Sequence, residues 1–232
     1  VSGSGQCRAV HSKRRTVSVV AVSMNPGHRR KKEDNMSKGG DDRLEMIRTV
    51  QKELKYARFI HTMGVAFTAA SLAERYDCDM RKAETAGILH DCAKYMDVDK
   101  MENLCRKNGL EISPLEEGNA ALLHSKAGCI LARKKYGVHD PEVLEAIRYH
   151  TTGKPDMTTL EKIVFIADYI EPGRDQAPHL DEIRKAAFED LDLALCMILK
   201  DTLSYLKENE REIDSLTQKT YDYYEEKIRT LK

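Results

Sequence analysis

From Asp41 onward the apolar residues recur with helical spacing almost without interruption. No alternating run suited to a strand exceeds four residues, and no Asn-Gly or Asp-Gly pair joins two such runs as a hairpin. A chain patterned this way folds as packed helices. The spacing predicts helices near 42–56, 58–76, 79–93, 97–108, 114–136 (broken near Gly118), 140–150, 158–170 and 181–208. No repeat or linker divides them, so one all-α domain over 41–232 is expected. Residues 1–40 are rich in Ser, Gly, Pro and basic residues without apolar period and read as a disordered basic extension.

Several boundaries carry explicit chemistry. Asp140-Pro141-Glu142 places a cap, then a proline whose missing N–H costs a first turn nothing. Thr158 and Glu161 have the spacing of a capping box. Ser113-Pro114 with Glu116 predicts a similar start. Gly109, Gly137 and Gly153 stand where helices should end, and Glu171-Pro172-Gly173 marks a turn.

The 232 residues can bury a core without disulfide staples. The net charge of zero conceals an asymmetry. Residues 1–35 hold eight Lys/Arg against two Asp/Glu, and the remainder holds thirty against thirty-six. An acidic body tracks a phosphate backbone poorly, so nucleic acid is not an expected partner. The absence of Trp argues against an aromatic platform. No apolar run approaches the roughly 20 residues of a membrane span. Lys13-Arg14-Arg15 ahead of residues 16–24 has the outline of a secretory signal, but Ser18, Ser23 and the basic run from His28 to Lys32 spoil it. The segment reads as an over-extended or tag-bearing N-terminus, with Met36 as a natural start. The six cysteines (Cys7, Cys78, Cys92, Cys105, Cys129, Cys196) form no CxxC pair. They read as small buried hydrophobes in a reducing, cytoplasmic setting.

Two acids stand where acids are costly. Asp91 interrupts Ala86-Gly87-Ile88-Leu89-His90-Asp91-Cys92-Ala93-Lys94, and Asp168 interrupts Ile163-Val164-Phe165-Ile166-Ala167-Asp168-Tyr169-Ile170. Burying a carboxylate there costs several kcal/mol unless a cation offsets it. Four of the eight histidines (His61, His90, His124, His150) lie within or at the ends of apolar helical segments. His61 shares a helix face with Val65, Thr68 and Leu72 and so points inward. His11 and His28 lie in the extension, and His139 and His179 read as surface residues. Singly, each inward histidine is an ordinary hydrogen-bonded core residue. Together with two buried acids they suggest a divalent metal in a helical bundle. Imidazole plus carboxylate without thiolate suits iron, manganese or zinc.

The order His61, His90-Asp91, Asp168 resembles the HD superfamily of metal-dependent phosphohydrolases. The words Arg58-Phe59-Ile60-His61-Thr62-Met63-Gly64-Val65, His124-Ser125-Lys126-Ala127-Gly128, His150-Thr151-Thr152-Gly153 and Ala167-Asp168-Tyr169-Ile170-Glu171-Pro172-Gly173-Arg174 narrow it. Over residues 42–230 the chain is similar to the bacterial HD-domain symmetrical diadenosine tetraphosphate hydrolases. The first forty residues have no counterpart there. The resemblance implies that His61, His90, Asp91 and Asp168 ligate a metal, taken to be iron. It implies that an adenine nucleotide lies against His61, Asp91, Cys92, Ala93, Lys94, His124, His150 and Arg174. A C-terminal stretch, Arg211, Glu212, Ile213, Asp214, Ser215 and Leu216, would join them. His124 and His150 alternatively ligate a second metal bridged by Asp91.

The expected reaction is attack of a metal-activated water on a central phosphorus, giving two ADP. Asp91, Lys94, His124 and His150 would carry the catalysis, with the histidines as phosphate donors or leaving-group acids near neutral pKa. Lys94 and Arg174 would hold phosphates. Two alternatives keep the site: hydrolysis of a dNTP, mononucleotide or guanosine polyphosphate, and a non-catalytic nucleotide sensor. A homodimer is left open. The rest reads blandly. Met96, Met101 and Met197 fill the core, Leu191, Leu195, Ile198, Tyr205 and Leu206 form a packing face, and Tyr221-Asp222-Tyr223-Tyr224 reads as an exposed helix end.

Overall fold

A computed structural model of the chain describes residues 30–230, with side chains from Asp42 onward. The secondary structure is ten helices, with no strand among the described residues. In chain order they are α1 (Arg30–Glu53), α2 (Tyr56–Arg75), α3 (Met80–Leu89), α4 (Val98–Lys107), α5 (Ala120–Lys134), α6 (Pro141–Tyr149), α7 (Thr159–Ile170), α8 (Leu180–Ala187), α9 (Leu191–Glu208) and α10 (Ser215–Thr230). The expected extension, its basic run and the outline of a signal fall largely outside the described residues. Residues 40–232 form one unit, which holds every residue discussed below. Among the described residues no helix is long and apolar enough to cross a membrane.

Helix α7 is the axis of the core. Leu160, Ile163, Val164, Phe165, Ile166 and Ala167 are all buried, so its apolar run faces partners on every side. It packs against α2, α6 and α9, and α2 packs closely on α3. Around α7 the core gathers Val65, Ala69 and Leu72 from α2, Ile147 from α6, Ile183 from α8 and Leu195 from α9. A second, smaller cluster joins α4 to α5 through Met101, Cys105, Leu123 and Ala127.

The capping chemistry accounts for most boundaries. Asp140 accepts from Glu142 N, and the Thr158–Glu161 capping box forms in both directions. Asp79, Asp190 and Asp214 cap α3, α9 and α10 in the same way. Gly109, Gly137 and Gly153 all have positive φ just past helix ends. The described cysteines are free, with Cys92 and Cys105 buried.

Five expectations need correction. The segment from Pro114 is one turn, not a helix. Glu116 Oε2 reaches back to Ser113 N at 2.7 Å, but Gly118 turns the chain out at φ 68°. The expected helix 181–208 is two helices, because Asp190 starts a new one at φ −150°. The helix expected through residue 93 ends at Leu89, and residues 90–95 are turns. Finally, Tyr224 is not exposed. It is fully buried on α10, and its hydroxyl accepts Met157 N at 2.8 Å. Tyr205 likewise leaves the packing face and is half-exposed.

Candidate metal centre

Helix endings deliver the site. His90 is the C-cap of α3, and Asp91 lies in the turn that follows it. His150 is the C-cap of α6. His61 projects from α2, His124 from α5 and Asp168 from the last turn of α7. His90, Asp91, His124 and His150 are buried, each 3% exposed or less.

Every imidazole has its Nδ1 committed. His90 Nδ1 donates to Gly87 O and His150 Nδ1 to Ile147 O, both at 2.7 Å. His124 Nδ1 donates to Ala120 O at 3.3 Å, and His61 Nδ1 to Glu171 Oε1 at 3.1 Å. A backbone carbonyl only accepts, so the hydrogen of these rings belongs on Nδ1. The four Nε2 atoms therefore offer lone pairs, and they converge on two carboxylates.

His61 Nε2 lies 3.0 Å from Asp168 Oδ1 and 4.0 Å from Asp91 Oδ2. His90 Nε2 lies 3.4 Å from Asp91 Oδ2 and 3.9 Å from Asp168 Oδ1. Despite these approaches, the Nε2 atoms of His61 and His90 have no aligned hydrogen-bond partner and are buried. Buried polar atoms are rarely left so. Atoms that crowd without aligning on one another fit a common third centre, and His61, His90 and Asp168 together could hold a metal ion. The other Asp91 oxygen, Oδ1, faces His124 Nε2 at 3.2 Å and His150 Nε2 at 3.7 Å. Asp91 thus divides its two oxygens between two histidine pairs.

The surroundings keep both carboxylates ionised in spite of burial. Burial disfavours the Asp91 carboxylate, but His90, His124 and His150 outweigh it and hold its pKa well below the ordinary value. Asp168 is driven the same way against burial, chiefly by His61 and His90. His90 is drawn upward despite burial by Asp91. His124 goes the other way, pushed down to about 4 by burial in spite of its bond to Asp91. That shift favours the unprotonated ring of His124 at neutral pH.

Three cations rim the site. Arg58 Nη1 pairs with Asp91 Oδ2 at 3.0 Å, Lys94 Nζ stands 4.0 Å from Asp91 Oδ1, and Arg174 Nη2 pairs with Asp168 Oδ1 at 3.1 Å. Lys94 and Arg174 were anticipated. Arg58 was not given a role, although its place one turn before His61 was a usable signal. Glu171 and Thr151 were also missed. Thr151 Oγ1 lies 3.3 Å from both His124 Nε2 and His150 Nε2.

Two cavities meet at this rim. One of about 340 Å³ contains Asp91, Lys94, His124, His150 and Asp168. The other, about 1010 Å³, opens from His61 and Glu171 toward His179, Asp201 and Tyr205. Arg58, Tyr169, Arg174 and Thr202 line both. The larger is of a size that holds small-molecule ligands. His179, read as a surface residue, stands at its wall, with Nδ1 3.1 Å from Asp201. The side chains of Cys92 and Ala93 point into the core. In the C-terminal stretch, Asp214 is spent capping α10, and Arg211 stacks over Tyr205, 5.6 Å from its ring centre.

The family model described as HD domain matches residues 58–173, which contain all six of these histidines and acids. The chain belongs to the HD domain family. HD domain relatives cover most of it. A protein of Bacillus subtilis named bis(5'-nucleosyl)-tetraphosphatase, symmetrical, is 40% identical over 78% of this chain and 97% of its own length. A protein of the same name from Staphylococcus aureus is 41% identical over 78% of this chain and 95% of its own. A solved structure from Clostridium acetobutylicum, described as a "predicted HD superfamily hydrolase involved in NAD metabolism", superposes with a TM-score of 0.76 at 40% identity. It covers 79% of this chain and 96% of the other. As an HD domain the chain depends on a divalent metal, and its His/Asp cluster is suited to one.

Proposed function

We propose that this protein hydrolyses diadenosine tetraphosphate symmetrically to two ADP, in the cytoplasm, at a metal centre held by His61, His90, Asp91 and Asp168. The carrying observation is the pair of buried, partnerless Nε2 atoms on His61 and His90 facing two carboxylates. The substrate follows from relatives of that name matched over nearly their whole length. The donor set, nitrogen and carboxylate oxygen without sulfur, suits iron, with manganese and zinc as alternatives.

A divalent metal there would act as a Lewis acid, lowering the pKa of water from about 15.7 toward neutrality and drawing charge off a phosphoryl oxygen. The chain's own residues do the rest. Arg58, Lys94 and Arg174 surround the smaller cavity and neutralise a chain of phosphates. Burial lowers the pKa of Lys94, as expected of an ammonium whose phosphate counter-charge arrives with substrate. The larger cavity takes a nucleoside. His124, unprotonated and with Nδ1 committed, serves as a ligand or base and not as the leaving-group acid.

A second cation held by Asp91, His124 and His150 is favoured by one observation: the Nε2 atoms of His124 and His150 face each other at 3.0 Å.

The deciding experiment is an anaerobic assay with diadenosine tetraphosphate, with and without Fe(II) or Mn(II), products resolved by ion exchange. ADP alone, abolished by chelator, is expected. AMP with ATP would keep the metal and move the attacked phosphorus outward. Turnover confined to mononucleotides would refute the substrate.

A further inference from the structure

We infer that Glu171 is a positioning residue, which fixes the ring of His61 for the metal through its Nδ1, and that Gly64 and Gly173 are glycines in order to house its carboxylate. The inference rests on the reading of His61 as a ligand.

The end of α7 grips His61 at both nitrogens. Asp168 approaches Nε2 at 3.0 Å, and Glu171, three residues on, takes the Nδ1 hydrogen at 3.1 Å. Glu171 is 4% exposed. A buried carboxylate needs its lone pairs satisfied. Oε1 is satisfied by His61, and Oε2 accepts Gly173 N at 2.6 Å. Space is reserved for it on two sides. A Cβ on Gly64 would fall on Oε2 and stand 3.2 Å from Cδ, and a Cβ on Gly173 would meet both oxygens at 3.0 Å. Gly64 is one turn after His61 on α2, so two (i, i+3) pairs face each other: His61 with Gly64, and Asp168 with Glu171.

Holding a hydrogen on Nδ1 leaves Nε2 free to bind a cation, and such outer carboxylates set ring orientation and ligand basicity. His90, His124 and His150 use carbonyls for this purpose. His61 alone of the four uses a carboxylate.

Glu171→Gln is close in shape but cannot do both tasks. If its oxygen faces His61, its amide meets the Gly173 N–H donor to donor. If it flips, the amide donates to Nδ1 and moves the ring hydrogen to Nε2.

The test is Mn(II) affinity of the full chain after chelation and gel filtration, for wild type, Glu171→Gln, His61→Ala and the double variant, with the melting temperature of each metal-free protein. Glu171→Gln is expected to weaken Mn(II) binding roughly ten- to a hundredfold with little change in melting. In the His61→Ala background it should add nothing further. Gly64→Ala, which displaces the carboxylate without deleting it, should reproduce the loss. Wild-type affinity in Glu171→Gln or in folded Gly64→Ala, with His61→Ala weakened, would overturn the inference alone. Fully additive losses would overturn it too, since Glu171 would then not act through His61. Wild-type affinity in His61→Ala would instead remove the ligand reading beneath it.

Discussion

His124 and His150 face each other through Nε2 at 3.0 Å, each with its Nδ1 hydrogen already given to a backbone carbonyl. Two bare lone pairs at that distance repel. A cation shared with Asp91 Oδ1 removes the repulsion and makes three donors into ligands. The expected metal content is therefore two per chain, and one in the His124→Ala/His150→Ala double variant. Inductively coupled plasma measurements after gel filtration decide it. A single metal in wild type, or two in the double variant, would sink the second site.

The metal-free protein should lose stability as acid is added, in a definite window. His124 has a folded pKa of about 4 against 6.5 in the unfolded chain. Above pH 6.5 both states are neutral there. Between 6.5 and 4 the unfolded chain binds a proton that the folded protein refuses, so stability falls as pH falls. The contribution is roughly 3 kcal/mol at most. Asp91 and Asp168, depressed when folded, add loss only below 3.8. His90, raised when folded, opposes: its stabilisation is full below 6.5 and fades as pH rises through its folded pKa. Urea unfolding at pH 7, 5.5 and 4.5 should show a shallower fall for His124→Gln than for wild type. Parallel curves would contradict the assignment.

Asp91→Ala should abolish metal binding and lower turnover by at least roughly a hundredfold while keeping the helical signal in circular dichroism. The apolar core around α7 does not use it. His139→Ala, on an exposed loop, is the control and should match wild type. Full activity in Asp91→Ala would refute the site.

Arg58 and Arg174 each hold a site carboxylate in the absence of substrate. Both should turn to phosphate when it arrives. Alanine at either position should lower kcat/KM about ten- to a hundredfold, the scale of one charge-assisted contact, and steepen no other parameter than KM. Steady-state kinetics would show it, and an unchanged KM in both variants would count against the clamp.

Gly87 of α3 lies against the backbone of α2. A Cβ there would stand 2.7 Å from Ala66 Cα and 3.0 Å from Ala66 N. Backbone cannot swing aside as a side chain can. Gly87→Ala should cost about 1–3 kcal/mol, or a melting temperature about 2–12 °C lower. Calorimetry showing no change would mean the helices separate freely.

Features that depend on neighbours in sequence were legible. Asp140-Pro141, the Thr158–Glu161 box and the inward histidines all follow from spacing, and the structure keeps them. Where the reading failed, a distant partner or a competing local signal decided. Glu116 reaches back as a box acid should, but Gly118 two residues later stops the helix. Asp190 looked like one more acid on a long helix and is a cap. Tyr224 looked like a surface residue because its partner, Met157, lies 67 residues away. Arg58 and Glu171 matched the family's words, yet neither shows a role until α2 and the end of α7 are brought together.

That Tyr224 contact has a consequence for biosynthesis. The amide it receives, Met157 N, immediately precedes the cap of α7, the helix that carries Asp168. A nascent chain that has exposed Met157 must still wait 67 residues for the hydroxyl that ties down the start of α7. Until then Met157 N has only water to bond. Only when α10 has emerged can that hydroxyl fasten the start of the acid-bearing helix.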